Sequence, residues 1–167
     1  MLGQNDKQRK TYLTISHGKV VQGSGESRQY FSYVDGAIQA IYTRNSTFDN
    51  GVVKRWYIDM RDGEELYSLC LPYSSGVFKS IILSLASATD LTASTPVRIE
   101  PYEGANGYTK VVVYVEGVKM NWITKQLPPQ ELITIGGKQI KDDSKQMEFI
   151  ASLCKQITER INKNPTE

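Results

Sequence analysis

The sequence holds one histidine and two cysteines, and these counts exclude the commoner metal and catalytic chemistries. A structural zinc site takes four nitrogen or sulfur ligands, and Cys70 and Cys154 lie far apart without CxxC spacing. The lone His17 stands in Ser-His-Gly, which reads as a turn. No GxxxxGK[ST] is present, and no GxGxxG follows a strand. Gly23-Ser24-Gly25 lacks the strand-loop-helix setting of a phosphate cradle and reads as a loop. Glu64 and Glu65 follow Asp62-Gly63, which is hairpin chemistry rather than an acid/base pair. No nucleophile with a base beside it emerges, so the expectation is a protein without catalysis, cofactor or metal. Long apolar runs are missing as well: none approaches the roughly 20 residues of a bilayer span. The first ten residues are charged with no apolar stretch behind them, so no secretory signal or membrane partner is expected. Two free thiols in apolar settings fit a reducing cytoplasm.

An excess of one charge is also absent. Twenty basic and 18 acidic residues leave a net charge of +2, so any polyanion must be held by a local patch. Hydrophobic residues make up 40% and charged residues 23%, the balance of an ordinary globular chain. At 167 residues the chain forms one domain that buries roughly 70% of its unfolded surface. What is abundant is aromatic: ten tyrosines and two tryptophans.

The pattern predicts a strand over 12–15, a turn over 16–19, an antiparallel return over 20–22 and a loop over 23–29. A long β segment follows over 30–43, with Gly36 marking a bulge or bend. Residues 45–51 carry turn chemistry, 52–60 read as a strand, Asp62-Gly63 turns the chain, and 65–71 pair back until Pro72. Ser74 and Ser75 offer an N-cap to a helix over 76–88. Its apolar face is Phe78, Ile81, Ile82, Leu85 and Ala88, and Lys79, Ser80, Ser84 and Ser87 lie opposite. Strands follow over 97–102, 108–116 and 118–123, the last two joined at Glu116-Gly117. Pro128-Pro129 marks a break, and 133–140 can fold as a small hairpin around Gly136-Gly137. Asp142, Asp143 and Ser144 cap a final helix over 144–162. Its stripe is Met147, Ile150, Leu153, Cys154, Ile157 and Ile161, which docks on the barrel or pairs with a second copy in a homo-oligomer.

From 30 to 116 the order is three strands, a helix, then two strands. This is the order of the oligonucleotide-binding (OB) barrel, five-stranded with its helix between strands 3 and 4, and an unrelated α+β sheet can share it. The fold expected is therefore mainly β: residues 1–29 an N-terminal strand and loop extension, 30–123 the OB-like barrel, 124–167 a linker and C-terminal amphipathic helix. The run from Gly36 through Trp56, Asp62-Gly63-Glu64-Glu65 and the capped helix to Tyr114 resembles the single-stranded DNA-binding proteins of phages and mobile elements. The likeness covers about half the chain. It implies sequence-nonspecific binding of single-stranded DNA during replication or recombination, in the cytoplasm of a bacterial host. The end of the chain, Asn-Lys-Asn-Pro-Thr-Glu, departs from the bacterial housekeeping type with its acidic tip, so recruitment through such a tip is not implied.

Single strands are held by stacking bases on aromatic faces with lysine or arginine beside them. Alternation turns Val97 and Ile99 inward and Arg98, Glu100 and Tyr102 outward. Val111, Val113 and Val115 point inward, and Lys110, Val112 and Tyr114 outward. Ile58 and Met60 place Trp56 inside, so Arg55, Tyr57 and Asp59 lie outside, although Lys54 shares the phase of Trp56. Trp122 reads as core or, with Lys119 and Lys125, as part of a groove. The expected contacts to nucleic acid, DNA favoured, are Lys54, Arg55, Tyr57, Arg98, Tyr102, Lys110, Tyr114 and Trp122. The alternative is a structural or virion-assembly protein that uses the same aromatics as a protein interface.

Overall fold

The computed structural model describes residues 9–48, 51–125 and 127–163. The chain is mainly β. Among the described residues nine strands form one sheet in the order β3-β2-β1-β6-β5-β4-β7-β8-β9. They are β1 (Lys10–Ser16), β2 (Lys19–Gln22), β3 (Gln29–Phe31), β4 (Val34–Phe48), β5 (Gly51–Asp62), β6 (Glu65–Pro72), β7 (Val97–Glu103), β8 (Thr109–Val115) and β9 (Val118–Lys119). The hairpin of β10 (Glu131–Ile135) and β11 (Lys138–Asp142) stands apart. Two helices, α1 (Gly76–Ala86) and α2 (Ser144–Lys163), complete the described chain.

Local chemistry sets the hairpins. Glu116 and Gly117 both take positive φ, 52° and 78°, the type I′ geometry that matches the twist of the flanking strands. Between β5 and β6 the last pair is Asp62 with Glu65, so Gly63 and Glu64 form the loop. The β4–β5 hairpin is longer than expected: pairing runs from Ala37–Arg61 to Phe48–Gly51, so 45–48 are strand rather than loop. Residues 25–27 of the expected first loop form a short 3-10 turn, and Gln29–Phe31 pair with β2.

β4 is the hinge of the sheet. Val34, Asp35 and Gly36 pair with β7, and from Ala37 the same strand pairs with β5. Gly36 stands at the crossover, where a Cβ would lie 3.1 Å from the Arg61 carbonyl oxygen and 3.1 Å from Met60 Cβ. The bulge itself falls later, between Ile38 and Ala40. There the Gln39 side chain leaves the ladder and donates to the Ala93 carbonyl at 2.8 Å.

The expected barrel does not close. Closing the five strands β4–β8 requires β6 to pair with β8, and each meets another strand instead. β1 lies parallel to β6, with Leu13 opposite Leu69, and β9 pairs with β8. Residues 10–31 are thus part of the sheet rather than an appendage. The two wings nevertheless approach each other. Gly18, in the β1–β2 turn, donates its amide to Thr109 Oγ1 at 3.1 Å. A Cβ on Gly18 would sit 2.7 Å from the Glu103 amide nitrogen.

α1 starts at Ser75, whose hydroxyl accepts from the Phe78 amide at 3.2 Å. Phe78, Ile81, Ile82 and Leu85 are fully buried. On the opposite face Lys79 and Ser84 are buried as well, and so is Leu83. α2 packs along α1 and covers Lys79, and β8 with the segment after β9 packs on α1 as well. Arg160 donates to the Ala86 carbonyl at 2.7 Å, and Lys79 to Gln146 at 3.2 Å. The whole α2 stripe is buried in the chain's own core, so it offers no free face to a second copy.

Candidate nucleic-acid interface

The outer face of the central strands carries a cluster of aromatic and basic side chains. Alternation on β5 turns Trp56, Ile58 and Met60 to the core and Arg55, Tyr57 and Asp59 to the other face. The ladder then fixes their neighbours: Tyr42 stands opposite Tyr57 and Arg44 opposite Arg55 on β4, and Cys70 opposite Tyr57 on β6. β1 brings Lys10 and Tyr12 to the same face through β6.

The rings of Tyr42 and Tyr57 are stacked, 5.5 Å apart and 11° from parallel. Tyr12 meets Tyr57 edge-on at 6.5 Å and is half exposed. The Arg44 guanidinium lies over both stacked rings, at 5.4 and 5.7 Å. Arg55 reaches Cys70 Sγ at 3.9 Å. Neither arginine forms an ion pair among the described residues. Their charge remains available to an anion.

Beneath the rings a polar network sets the geometry. Asp59 shares the outward phase of Tyr57 yet is buried, against the expectation of an exposed residue. Lys10 Nζ covers it at 2.9 Å, and the Tyr42 hydroxyl donates to its other oxygen at 3.1 Å. The hydrogen bond to Asp59 holds the Lys10 pKa above its ordinary value. The Tyr57 hydroxyl is raised too, first by its hydrogen bond with Cys70 and then by burial.

The eight residues expected to bind do not form one site. Arg55 and Tyr57 belong to the tyrosine face. Lys54 does not: it shares the phase of Trp56 and sits 4.6 Å over the Tyr73 ring. Tyr73 stacks on Trp56 and Trp56 on Phe78, so Lys54 caps an aromatic column that runs into the core. Arg98 faces outward but is already engaged. Asp35 takes it in two bonds of 2.7 and 2.9 Å, and the Tyr33 ring covers it at 3.7 Å. Tyr114 lies opposite Arg98, and both line a cavity of about 770 Å³ with Asp35, Asp62 and Glu100. Its three carboxylates outnumber Arg61 and Arg98, so the lining is net negative, a poor seat for phosphate. Tyr102 and Lys110 are paired and exposed on β7 and β8. Trp122 is 46% exposed, so the core reading is wrong. Its strand ends at Lys119, and alternation cannot be extended past it.

Lys10, Tyr12, Tyr42 and Arg44 were not anticipated. Tyr42 and Arg44 follow by counting back from the Phe48–Gly51 pair, which sets each of them opposite its β5 partner. Lys10 and Tyr12 depend on a parallel contact between β1 and β6, and no local pattern announces that pairing. Among the described residues no group of His, Cys, Asp or Glu gathers as a metal site, and no helix is long and apolar enough to cross a membrane. No family model, no curated protein and no solved structure matches the chain.

Proposed function

We propose that this protein binds single-stranded nucleic acid, DNA in preference, without reading sequence and without catalysis. The observation that carries the reading is the stacked Tyr42–Tyr57 pair flanked by Arg44 and Arg55, two cations with no carboxylate partner among the described residues. Ring faces offer stacking to any base, and the arginines offer charge to the phosphates between bases. In a chain with a net charge of only +2, such a patch is where a polyanion gains most.

The topology supports the same reading. We take β4, β5, β6, α1, β7 and β8 as an OB-like unit left open, whose second and third strands are β5 and β6. In that fold the face of strands 2 and 3 carries the oligonucleotide. Protection of single strands during replication or recombination, for a phage or mobile element in a bacterial cytoplasm, is the role this reading fits.

The test is a titration of fluorescent oligo-dT at low salt, alongside thermal melts. Tyr57→Ala should weaken binding by about 1–3 kcal/mol, the value of one stacked base. Its melting temperature should move little, because the ring lies outside the main core. Unchanged affinity in a folded Tyr57→Ala protein would remove the platform. Absence of any binding at low salt would favour the rival, an assembly protein that meets other proteins through exposed aromatics such as Tyr30, Phe31 and Tyr33.

A further inference from the structure

A second aromatic and basic feature lies away from the tyrosine face. After β9 the chain does not continue as a strand. The Met120 amide donates to the Val113 carbonyl at 2.8 Å, and the Ile123 amide to the Leu83 carbonyl at 3.0 Å. Pinned to β8 at one point and to α1 at the other, this segment leaves a cleft of about 580 Å³ beside β7 and β8. That volume lies in the range of sites for small ligands.

The lining is selective in charge. Among the described residues Lys119 and Lys125 are its cations, Asn121 adds an amide, and no carboxylate lines it. Tyr102 and Trp122 line it as well, exposed at 44% and 46%. Tryptophan is highly buried on average, so a half-exposed indole beside two lysines points to a partner with a π face and negative charge. The 770 Å³ cavity near Arg98 is larger, but there three carboxylates outnumber Arg61 and Arg98, which disfavours such a partner.

We propose that this cleft is a second subsite for the single strand, in which a base stacks on Trp122 while Lys119 and Lys125 hold the adjoining phosphates. It rests on the reading of the chain as a single-strand binder, but it uses residues independent of the tyrosine face. A strand that reaches both subsites gains by effective concentration.

The two tryptophans make the test direct. Trp56 is 6% exposed and packed between Tyr73 and Phe78, so a base stacking on tryptophan reports on Trp122. Oligo-dT should quench the intrinsic emission of the native chain. In Trp122→Phe the quench should vanish while anisotropy still reports binding, several-fold weaker. The double variant Tyr42→Ala/Tyr57→Ala should keep the quench, shifted to higher oligonucleotide concentration. Lys119→Ala/Lys125→Ala should lower the salt slope by about 1.4, two phosphates at about 0.7 each. Binding without a change in emission, or a full quench in Trp122→Phe, would overturn the cleft and leave the tyrosine face standing. Native affinity in the tyrosine double variant, with loss in Trp122→Phe, would instead overturn the tyrosine face. No binding by any of these proteins at low salt would overturn both.

Discussion

Tyr42 and Tyr57 form one stack, yet their hydroxyls have different work. That of Tyr42 donates to Asp59 and accepts from Lys10, whereas that of Tyr57 meets a thiol. Base stacking uses the ring alone, so Tyr57→Phe should bind as the native protein does. The Lys10–Asp59 pair gives the same face a pH signature. The Lys10 pKa is raised by Asp59, and those of Tyr57 and Tyr67 are raised through Cys70 and through burial respectively. Each of these groups binds its proton more tightly when folded. Their contribution is therefore fully present below the unfolded values, about 10 for tyrosine and 10.4 for lysine, and is lost as pH rises through the folded ones. Melting temperature should fall above about pH 10, and less steeply in Asp59→Asn, which removes the lysine share. An identical alkaline slope in that variant would show that the ion pair does not set Lys10.

At the scale of elements, α2 carries the clearest energetic claim. Ile150 and Ile157 are fully buried, and Arg160 satisfies the Ala86 carbonyl at the end of α1. Ile150→Ala or Ile157→Ala should each cost about 2–5 kcal/mol, read by denaturant unfolding. A loss below about 1 kcal/mol would mean that the helix is only loosely docked. Its apolar period of three and four residues was plain in the sequence, and so were the capped α1 and the Asp62-Gly63 and Glu116-Gly117 turns, because each rests on neighbours in the chain. What covers α2 was not, since an apolar stripe does not say whether a barrel face, a second copy or, as the structure has it, α1 lies against it. The same limit applies to the site. The outward phase of Tyr57 follows from Ile58, but the partner strand of β6 is set by a contact 56 residues away in sequence, as in Lys10 opposite Leu66. Lys54 lies off the tyrosine face because it obeys the alternation of β5, whereas the core reading of Trp122 fails because it stands beyond the strand that would have governed it.

The whole molecule is a sheet whose wings meet without pairing. The β1–β2 turn touches β7 and β8 through Gly18, at φ 72° and with no room for a Cβ. Gly18→Ala should cost more than about 1 kcal/mol, from the left-handed backbone alone before the clash is counted. Native stability in that variant would mean that the wings do not touch. The open form also leaves the outer face of β1, β6, β5 and β4 as one surface, and the proposal places the strand there.

The salt dependence of oligo-dT binding tests that proposal most directly. Arg44 and Arg55 are its phosphate contacts, so log affinity should fall linearly with log salt, and Arg44→Gln/Arg55→Gln should flatten the slope by about 1.4, two contacts at about 0.7 each. A native slope in that folded variant, or no binding to oligo-dT even at low salt, would contradict the account.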